Sequence, residues 1–413
     1  MLYDVALITK NETTQPMNIL RLKKREDKRI RSGHPWIYSN EINNTATPLK
    51  LFVPGAVVTV QANDDTLLGK AYINPHSLIA ARMFSRDPHQ ELDLPFFIKR
   101  LSSALACRDS LYKRPFYRLV FSEADHLPGV VVDRFGDHLA VQINTAGMEQ
   151  CKNTIIEALR HVLPDTKSIL LRNDSPIRTQ EGLSLYVEPA YGEPPETISV
   201  EENGVTFNAP FLSGQKTGWF YDHRDNRARL TKYVDNRSVL DVFSYLGGFG
   251  VQAAVCGAKH VDCIDSSLPA CEAIKANAKL NKVDGKVAVI CDDAFDAMKK
   301  LVQAGKVYDV VILDPPAFVK KSKDRQSGLI AYQRMIELGL KLLAKNGVLA
   351  ACSCSMHVSM DDFTHLIMHA AAKTERSVQL LERGHQGLDH PIHPAIPETD
   401  YLKAVVVRRM DDA

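Results

Sequence analysis

The sequence lacks the features that mark membrane and secreted proteins. No uncharged apolar run approaches the roughly 20 residues of a membrane-spanning helix, so no membrane partner is expected. An acid stands at position 4, and no cationic stretch precedes an apolar core, which speaks against a secretory signal peptide. The sequence therefore predicts a cytoplasmic protein.

Cysteine is sparse and wrongly spaced for disulfides or zinc. The chain has eight cysteines in 413 residues, and none of them forms a C-x-x-C pair. A disulfide framework is not expected in a long cytoplasmic chain. Without paired cysteines a structural zinc site is not expected either, and we predict no metal.

An excess of charge of one sign is also missing. Lys plus Arg number 51 against 49 Asp plus Glu, so net charge indicates no class of partner. The hydrophobic fraction of 45% is that of a globular protein. Because 413 residues exceed one ordinary core, we expect two or three domains.

The first half of the chain divides into three predicted parts. Residues 1–16 are predicted to be a variable extension with little structure. Residues 17–90 contain short strand-like runs, such as "GAVVTVQ" and "SLIAARMFS", which predict a small β-barrel. Residues 91–195 mix helix and strand patterns and predict a central α+β domain. The Pro- and Glu-rich segment 187–198 is interpreted as a linker.

The basic run 19–31, "ILRLKKREDKRIR", has two interpretations. It can be the solvated face of a helix, or a patch that contacts the phosphates of a nucleic acid. A second basic run, "KKSKDR" at 320–325, is predicted to be a loop. It can be a solvated loop, or it can hold the phosphates of a nucleic acid.

Residues 196–413 alternate strands and helices. Apolar runs at "SVLDVF", "KHVDCID", "KVAVICDD", "YDVVILDPP" and "GVLAACS" predict five strands, and a long helix is predicted over 327–345. Ser267 and Pro269 predict the start of the helix after the second strand. Repeated β-α units predict an α/β fold with a doubly wound, mostly parallel sheet, whose ligands bind at the carboxyl ends of the strands.

Acids end four of these strands: Asp241, Asp265, the pair Asp292 and Asp293, and Asp314. Asp265 follows Asp241 by 24 residues, the usual place for a carboxylate that binds ribose hydroxyls. Asp292 or Asp293 could accept a hydrogen bond from the adenine amine.

The first loop, "DVFSYLGGFG", allows close backbone approach at Gly247, Gly248 and Gly250. It is neither G-x-G-x-x-G nor a P-loop, so a pyrophosphate is not indicated. A nucleoside without phosphates fits best, and S-adenosylmethionine (SAM) is the predicted cofactor.

Two motifs suggest the chemistry. In "LDPPAF" the prolines fix Asp314 in a turn, but Ala317 stands where amino-methylating enzymes have an aromatic residue, and Phe318 comes one position later. In "AACSCS" Cys352 and Cys354 share one face of the fifth strand. Either is a buried small residue, or a thiolate that attacks carbon 6 of a pyrimidine and so activates carbon 5 for methylation.

Together these motifs resemble the bacterial large-subunit rRNA cytosine-5 methyltransferase I family. The resemblance runs from about residue 18 to the end and rests on "HPWIYSNEI", "SEADHLPGVVVDRFG", "GQKTGWFYDHRDNR", "VLDVFSYLGGFG", "LDPPAF" and "CSCS". It implies a PUA-like RNA-binding domain and a class I, Rossmann-like methyltransferase domain over 196–413. It further implies that SAM is the cofactor and that cytosine of large-subunit rRNA is the substrate.

The resemblance also assigns roles to individual residues. Cys354, which follows a serine, is the expected nucleophile, with Cys352 second; Asp314 would bind the target ring and needs a raised pKa to donate a proton. His223 stands where the family usually has Gln. The residues expected at the cofactor are Lys216, Thr217, Phe220, Arg224, Asp241, Phe243, Gly247, Asp265, Asp292, Asp293 and Asp314.

Two other functions remain open on the same scaffold. One is methylation of a purine amino group, which needs no thiol. The other is a non-catalytic RNA-binding assembly protein that would not bind SAM.

Overall fold

The computed structural model describes residues 18–214 and 217–410. The predicted extension 1–16 lies outside the described residues. Among the described helices, none combines the length and the apolar character needed to cross a membrane.

The N-terminal domain is a five-stranded sheet with strand order β1-β3-β4-β5-β2. β1 runs parallel to β3 and the other pairs are antiparallel. The alternating pattern of β3 buries Val58 and Val60 against Leu20 and Ile73. Its elements are β1 (Ile19–Arg21), α1 (Lys28–Arg31), β2 (Trp36–Tyr38), β3 (Val57–Gln61), β4 (Leu67–Ile73) and β5 (Ile79–Ser85).

The interpretation of residues 19–31 as one helix face is wrong. Leu20 and Leu22 are fully buried with a period of two, so the segment begins as a strand, and only α1 is helical. Several of its cations are paired: Arg21 with Asp65, and Arg31 Nε with Asp27 Oδ2 at 2.5 Å. The remaining exposed cations can still contact phosphates.

The central domain packs helices on a second five-stranded sheet, order β10-β9-β8-β7-β6. Only the β8–β9 pair is parallel among these strands. Its elements are α2 (Leu94–Leu111), β6 (Phe116–Phe121), β7 (Val130–Phe135), β8 (His138–Ile143), α3 (Ala146–Gln150), α4 (Lys152–Val162), β9 (Ser168–Asn173), α5 (Ile177–Gln180) and β10 (Tyr186–Tyr191).

The linker interpretation of residues 187–198 is wrong for most of its length. Residues up to Tyr191 belong to β10, an edge strand in which Pro189 sits beside a register shift. Proline is tolerated at such an edge, which is why the composition was misleading. A hairpin then follows, formed by β11 (Thr197–Glu202) and β12 (Val205–Pro210).

The last domain holds a seven-stranded sheet of order β15-β14-β13-β16-β17-β19-β18. Its first five strands are parallel and β19 is antiparallel to both neighbours. Its elements are α6 (Arg224–Leu230), β13 (Ser238–Val242), α7 (Gly250–Val255), β14 (His260–Asp265), α8 (Leu268–Leu280), β15 (Val287–Cys291), α9 (Ala294–Gln303), β16 (Tyr308–Leu313), α10 (Arg325–Lys341), β17 (Leu343–Ser353), α11 (Met360–Lys373), β18 (Val378–Gly384) and β19 (Lys403–Arg409).

The five predicted strands and the start of α8 are confirmed. Ser267 Oγ accepts a hydrogen bond from the Ala270 amide, and Pro269 lies in the first turn. The long helix, predicted over 327–345, ends at Lys341, because Leu343 already pairs with Tyr308 in the sheet.

The central domain and the last domain share one apolar core. Phe116 and Phe135 of the central sheet lie in the same buried cluster as Phe207, Phe211 and Trp219. Because this core contains residues from both sides of position 195, the domain boundary predicted there does not separate two independent cores.

A loop before β19 completes the central domain. The Asp389 carbonyl accepts from Arg108 Nη2 at 2.9 Å, and its carboxylate accepts from the Arg118 amide at 2.9 Å. Arg108 is almost fully buried and also forms a bidentate pair with Asp125.

Candidate active site

The candidate site lies where the strand order of the large sheet reverses, between β13 and β16. Chain order proceeds outward from β13 to β15 on one side and from β16 to β17 on the other. Ligands of such sheets bind in the crevice outside the carboxyl ends of these strands. Side chains of Asp241, Asp314 and Cys352 are close enough there to influence one another electrostatically.

Asp241 is a fully buried carboxylate at this point. Its Oδ2 accepts from the Gly250 amide at 2.9 Å, while Oδ1 has no hydrogen-bond partner among the described residues. Burial raises the pKa of Asp241 to about 7, and the charges of Asp314 and Asp265 add to the effect. A buried carboxylate oxygen without a donor is a place for a ligand cation or N–H group.

The loop after β13 is held in an unusual backbone conformation. Phe243 and Tyr245 have φ angles of 67° and 52°, a backbone region that residues other than glycine seldom adopt. Asp265 stabilises the loop, since its Oδ2 accepts from the Tyr245 amide at 2.9 Å and its Oδ1 from the Ser267 amide at 2.9 Å. A carboxylate has about four acceptor positions, so Asp265 can still bind ribose hydroxyls.

Gly247 also lies in this loop, with φ 81°. A Cβ atom there would lie 2.7 Å from Val251 Cγ2, so the turn requires glycine.

The acids after β15 have structural partners. Asp293 is the N-cap of α9 and accepts from the amides of Phe295 and Asp296. Asp292 accepts from Lys300 Nζ at 2.5 Å, and this contact, together with the Asp293 amide, lowers its pKa. Both acids lie directly after the end of β15, as the sequence predicts.

Residues 217–230 form a strap that crosses from the central domain to the site. Thr217 Oγ1 donates to Asp133 Oδ2 at 2.5 Å, inside the central domain. The buried Glu202 carboxylate accepts from Trp219 Nε1 at 3.0 Å and from Arg227 Nε at 2.5 Å. The strap is therefore fixed at several points by buried polar contacts.

Thr217 and Arg224 do not reach the strand ends. Thr217 is buried against Asp133, and Arg224 donates to the Phe116 carbonyl and lies 4.4 Å from the Tyr112 ring centroid. Both side chains join the strap to the central domain, and their predicted contact with the cofactor stays a prediction. Lys216 lies outside the described residues.

Phe220 does face the first loop. Its ring centroid lies 5.3 Å from that of Tyr245, and the cavity beside it is lined by Phe243, Gly248 and Asp314. Among the strap residues predicted to bind the cofactor, Phe220 therefore lies at the crevice.

His223 is the strap residue that contacts a predicted catalytic group. Its Nε2 lies 3.1 Å from Asp314 Oδ1, and the imidazole is 6% exposed. Burial alone would lower the pKa of His223, but the Asp314 carboxylate outweighs it and the pKa is raised. Asp222 favours the charged imidazolium further and Arg227 opposes it.

Cys352 completes this group from β17. One donor atom from each of His223, Asp314 and Cys352 lies within 4.8 Å of the other two, a spacing that could also hold a metal ion. Burial raises the pKa of the Cys352 thiol well above its usual range, and Asp314 adds to this. That the protein uses no metal stays a prediction.

Cys354 lies just beyond the end of β17 and is half-buried. The register pairs Ser353 with Lys403, the first residue of β19. Lys403 Nζ donates to the carbonyls of Ser355 and Tyr401 at 2.6 and 2.7 Å. Burial lowers the pKa of Lys403 to about 8, although the nearby charge of Cys354 opposes this shift.

The loop after Asp314 turns its aromatic residue into the protein. The Phe318 ring centroid is 4.7 Å from that of Tyr332 and 6.2 Å from that of Phe295. The Val319 amide donates to Ser355 Oγ at 3.1 Å, which ties this loop to the segment that carries Cys354.

Sequence reasoning missed two neighbours of the predicted groups. His223 was visible only as a departure from the expected Gln, and its contact with Asp314 depends on the path of the strap. Lys403 follows Cys354 by 49 positions, and only the antiparallel pairing of β17 with β19 brings it there. A single cation at the start of the apolar run "KAVVV" was the one available signal.

The crevice suits a nucleoside that carries a positive charge. Asp241 offers a buried oxygen without a partner, Asp265 offers acceptors at the end of β14, and Phe220 and Phe243 offer apolar faces. With a sheet whose seventh strand is reversed, these features define a class I SAM-dependent methyltransferase.

Comparison with known proteins agrees with this class and narrows it. A family profile described as an S-adenosylmethionine-dependent methyltransferase matches residues 183–408, and one described as a PUA-like domain matches residues 20–86. The ribosomal RNA large subunit methyltransferase I of Aliivibrio fischeri (strain MJ11) is 38% identical over 392 residues, covering 94% of this chain and 98% of the relative. That of Escherichia coli O9:H4 is 34% identical over 95% of this chain and 99% of its own length. The chain belongs to the ribosomal RNA large subunit methyltransferase I family.

Solved structures show the same fold. A SAM-dependent methyltransferase from Streptococcus mutans superposes with a TM-score of 0.80, at 24% identity, over 95% of this chain and 100% of its own. A methyltransferase complexed with S-adenosylhomocysteine gives 0.82 at 24% identity and the same coverage.

Proposed function

We propose that this protein methylates carbon 5 of a cytosine in large-subunit rRNA, through a transient bond between Cys354 and carbon 6 of the base. The observation that carries the proposal is the position of Cys354, beyond the end of β17 and close to Lys403. The names of the relatives and the PUA-like domain support rRNA as the substrate. Such a substrate implies the cytoplasm.

SAM, when bound, supplies an electrophilic methyl group. We assign its adenosine part to Asp265 and the acids after β15, Asp292 and Asp293, and its charged end to Asp241. Phe220, Phe243 and the turn at Gly247 would enclose it. These assignments rest on the partnerless oxygen of Asp241 and the remaining acceptor positions of Asp265.

The proposed chemistry begins with the Cys354 thiolate. The Sγ–C6 bond forms, and carbon 5 gains the electron density that it needs to take the methyl group. Transfer of the methyl group would leave S-adenosylhomocysteine. Solvent water then takes the carbon 5 proton, the ring proton returns to the His223–Asp314 pair, and the Sγ–C6 bond breaks, which restores the aromatic ring and the thiolate. Asp314, paired with His223, would hydrogen-bond the ring during attack, and the imidazolium would supply the proton shared by this pair.

Lys403 is proposed to stabilise the thiolate. A cation beside a cysteine favours its charged form. Cys352 is the weaker candidate for the nucleophile, because it is 1% exposed and its pKa is raised well above the usual range.

The decisive experiment compares wild type with Cys354→Ala and Cys352→Ala. Large-subunit rRNA from cells that lack the protein is incubated with methyl-labelled SAM and digested to nucleosides. We expect label in 5-methylcytidine with wild type, its loss with Cys354→Ala, and measurable activity with Cys352→Ala.

Other outcomes point to the other functions. Label in a methylated purine that survives Cys354→Ala would replace the proposal with amino-methylation. The packing of Phe318 against Tyr332 and Phe295 speaks against that function, because the faces of the ring that these side chains cover cannot stack on a target base. Absence of SAM binding by the wild-type protein would leave a non-catalytic RNA-binding role.

A further inference from the structure

A cavity of about 410 Å³ lies at the junction of the three domains, away from the strand ends. The N-terminal domain contributes His34, Phe84 and Arg86, α2 contributes Arg100, and later loops contribute His126 and His393. Its volume falls within the roughly 300–1,000 Å³ of ligand pockets.

Apart from Ser85, the polar side chains that line the cavity are cationic or imidazole. No carboxylate is among the residues that line the cavity, within the described part of the chain. Arg86 and Arg100 form no ion pair with any residue in 18–214 or 217–410. Each makes one long hydrogen bond of 3.4 Å, to the carbonyls of Arg31 and Phe84 respectively. Since a guanidinium has five N–H donors, both can still bind an anion.

The cavity also offers surfaces for a planar ring. Ile30, Met83 and Phe84 form an apolar part of its wall. Burial lowers the pKa of His34, His126 and His393, so their imidazoles are neutral near pH 7. Both ring nitrogens of His34 already have partners, and His393 Nδ1 accepts from the Ala395 amide. His126 and His393 Nε2 are therefore the imidazole groups that can hydrogen-bond a ligand, and His34 offers its ring face. An anion beside a ring is the chemistry of a nucleotide, whose unstacked base binds imidazole and guanidinium planes.

The cavity shares one wall residue, His393, with a second cavity that lies on the side of Cys354. This second cavity has a volume of about 790 Å³, and its wall includes His357, Asp400 and Lys403. Lys403 faces Ser353 across the sheet, next to Cys354. A strand of RNA that delivers a base to Cys354 can therefore extend through the second cavity to Arg86 and Arg100.

We propose that the three-domain cavity binds one nucleotide that flanks the target base, with its phosphate at Arg86 and Arg100 and its base against the apolar wall and the imidazoles. This inference rests on the proposed RNA substrate. It gives the N-terminal domain a direct part in selecting the sequence around the target.

The test measures equilibrium binding of large-subunit rRNA, transcribed in vitro, by filter retention. All proteins carry Cys354→Ala, so binding is separated from chemistry. We expect Arg86→Gln/Arg100→Gln to weaken binding about tenfold or more near 0.15 M salt, and to lower the slope of log Kd against log salt by about one to two.

The matched control is Lys50→Gln/Lys99→Gln. It removes the same charge from the same two parts of the chain, at exposed positions that do not line the cavity. We expect less than a twofold change in Kd. SAM affinity and the thermal unfolding midpoint, measured for every variant, show that each protein is folded.

A charge-conserving variant separates a built site from a general positive field. Arg86→Lys/Arg100→Lys keeps the charge but loses the planar fork that binds phosphate at two points. We expect it to weaken rRNA binding about threefold or more. Equal rRNA affinities for the Cys354→Ala parent, the double Lys variant and the Lys50→Gln/Lys99→Gln control would overturn the inference.

A mononucleotide arm uses adenosine 5′-monophosphate. If Arg86→Gln/Arg100→Gln loses binding of this probe but keeps full rRNA affinity, the cavity serves a free nucleotide and the inference is wrong. If the protein with wild-type Cys354 does not methylate rRNA, the proposed function fails instead. If it methylates rRNA while the two double Gln variants bind alike, only the cavity assignment fails.

Discussion

At the scale of single residues, the site consists of ionisable groups whose protonation is set by a neighbour. Asp241 is buried without a full set of partners, His223 is paired with Asp314, and Lys403 is buried beside Cys354. Because each group is tuned by one or two contacts, single substitutions should change pH dependence more than stability.

Asp241 should make SAM binding depend on pH. Its pKa of about 7 is raised by burial, so near neutral pH the free protein carries a proton there in part of the molecules. A cationic ligand beside the carboxylate lowers that pKa, so binding releases a proton and the affinity rises with pH until about 7, then levels off. Calorimetry from pH 5.5 to 8.5 in two buffers of different ionisation enthalpy measures this release. Asp241→Asn should bind more weakly and without pH dependence; a pH-independent wild type would contradict the assignment.

His223→Gln tests the pair with Asp314. The amide can still donate to the carboxylate but cannot carry a charge, so the protein should stay folded and active. The pKa of His223 is raised, so the part of wild-type kcat that its imidazolium contributes, measured at saturating SAM, should be complete below the ordinary value of about 6.5 and fall away as pH rises through the raised value. The Gln variant should lack that fall. His223→Ala should lose about 10- to 100-fold, since removing one hydrogen-bond partner of a buried group costs about 1–3 kcal/mol; identical pH profiles for wild type and Gln would refute the pairing.

At the scale of elements, the same residue can end a strand segment, cap the next helix and contact a ligand. Asp293 both caps α9 and stands where the cofactor's adenine is proposed to lie. An acid at a helix start stabilises the helix whether or not a ligand is present, so stability and binding must be separated experimentally.

Asp293→Ala and Asp293→Asn separate the two roles. Loss of an N-cap costs about 1 kcal/mol, whereas asparagine caps nearly as well as aspartate. We expect Asp293→Ala to lower both the free energy of unfolding and SAM affinity, and Asp293→Asn to keep stability. Urea titration and calorimetry measure both quantities, with Asp284→Ala, an exposed acid outside the helices, as control. Unchanged SAM affinity in both Asp293 variants would show that Asp293 caps α9 and does not bind SAM.

Some elements could be read from the sequence and others could not. Strands β13 to β17 are apolar runs that end in acids or cysteines, and both signals are local. The start of β1 was hidden among cations, because only Leu20 and Leu22 mark its buried face. The strap could not be derived, since Thr217 and Arg224 find their partners in the central domain through contacts 84 and 108 positions apart.

At the scale of the whole molecule, the central and catalytic domains behave as one body. Their apolar residues form a single cluster, and Asp133, Asp389 and Arg224 make buried polar contacts between them. The N-terminal sheet has its own cluster, joined to the rest by contacts such as that of Arg82 with Glu181 at 2.9 Å.

Truncation should reveal this difference. A chain of residues 91–413 keeps the shared core and should unfold in one transition with a lower midpoint than the full chain. A chain of residues 196–413 loses Phe135, exposes Phe211 and Tyr221, and should aggregate or unfold without a cooperative transition. Circular dichroism on heating measures both; a cooperative transition for 196–413 would show that the shared core is dispensable.

The contact of Asp389 with Arg108 sets an order in time as well as in space. The two residues lie 281 positions apart, and ribosomes add about 5–20 residues per second. A newly made central domain therefore waits roughly 15–55 seconds before the Asp389 carbonyl reaches its arginine. Until then its sheet presents an open polar edge and an uncovered apolar face to chaperones and proteases. A message cut short before codon 389 yields a product that cannot close this edge, so quality control can recognise it as unfinished.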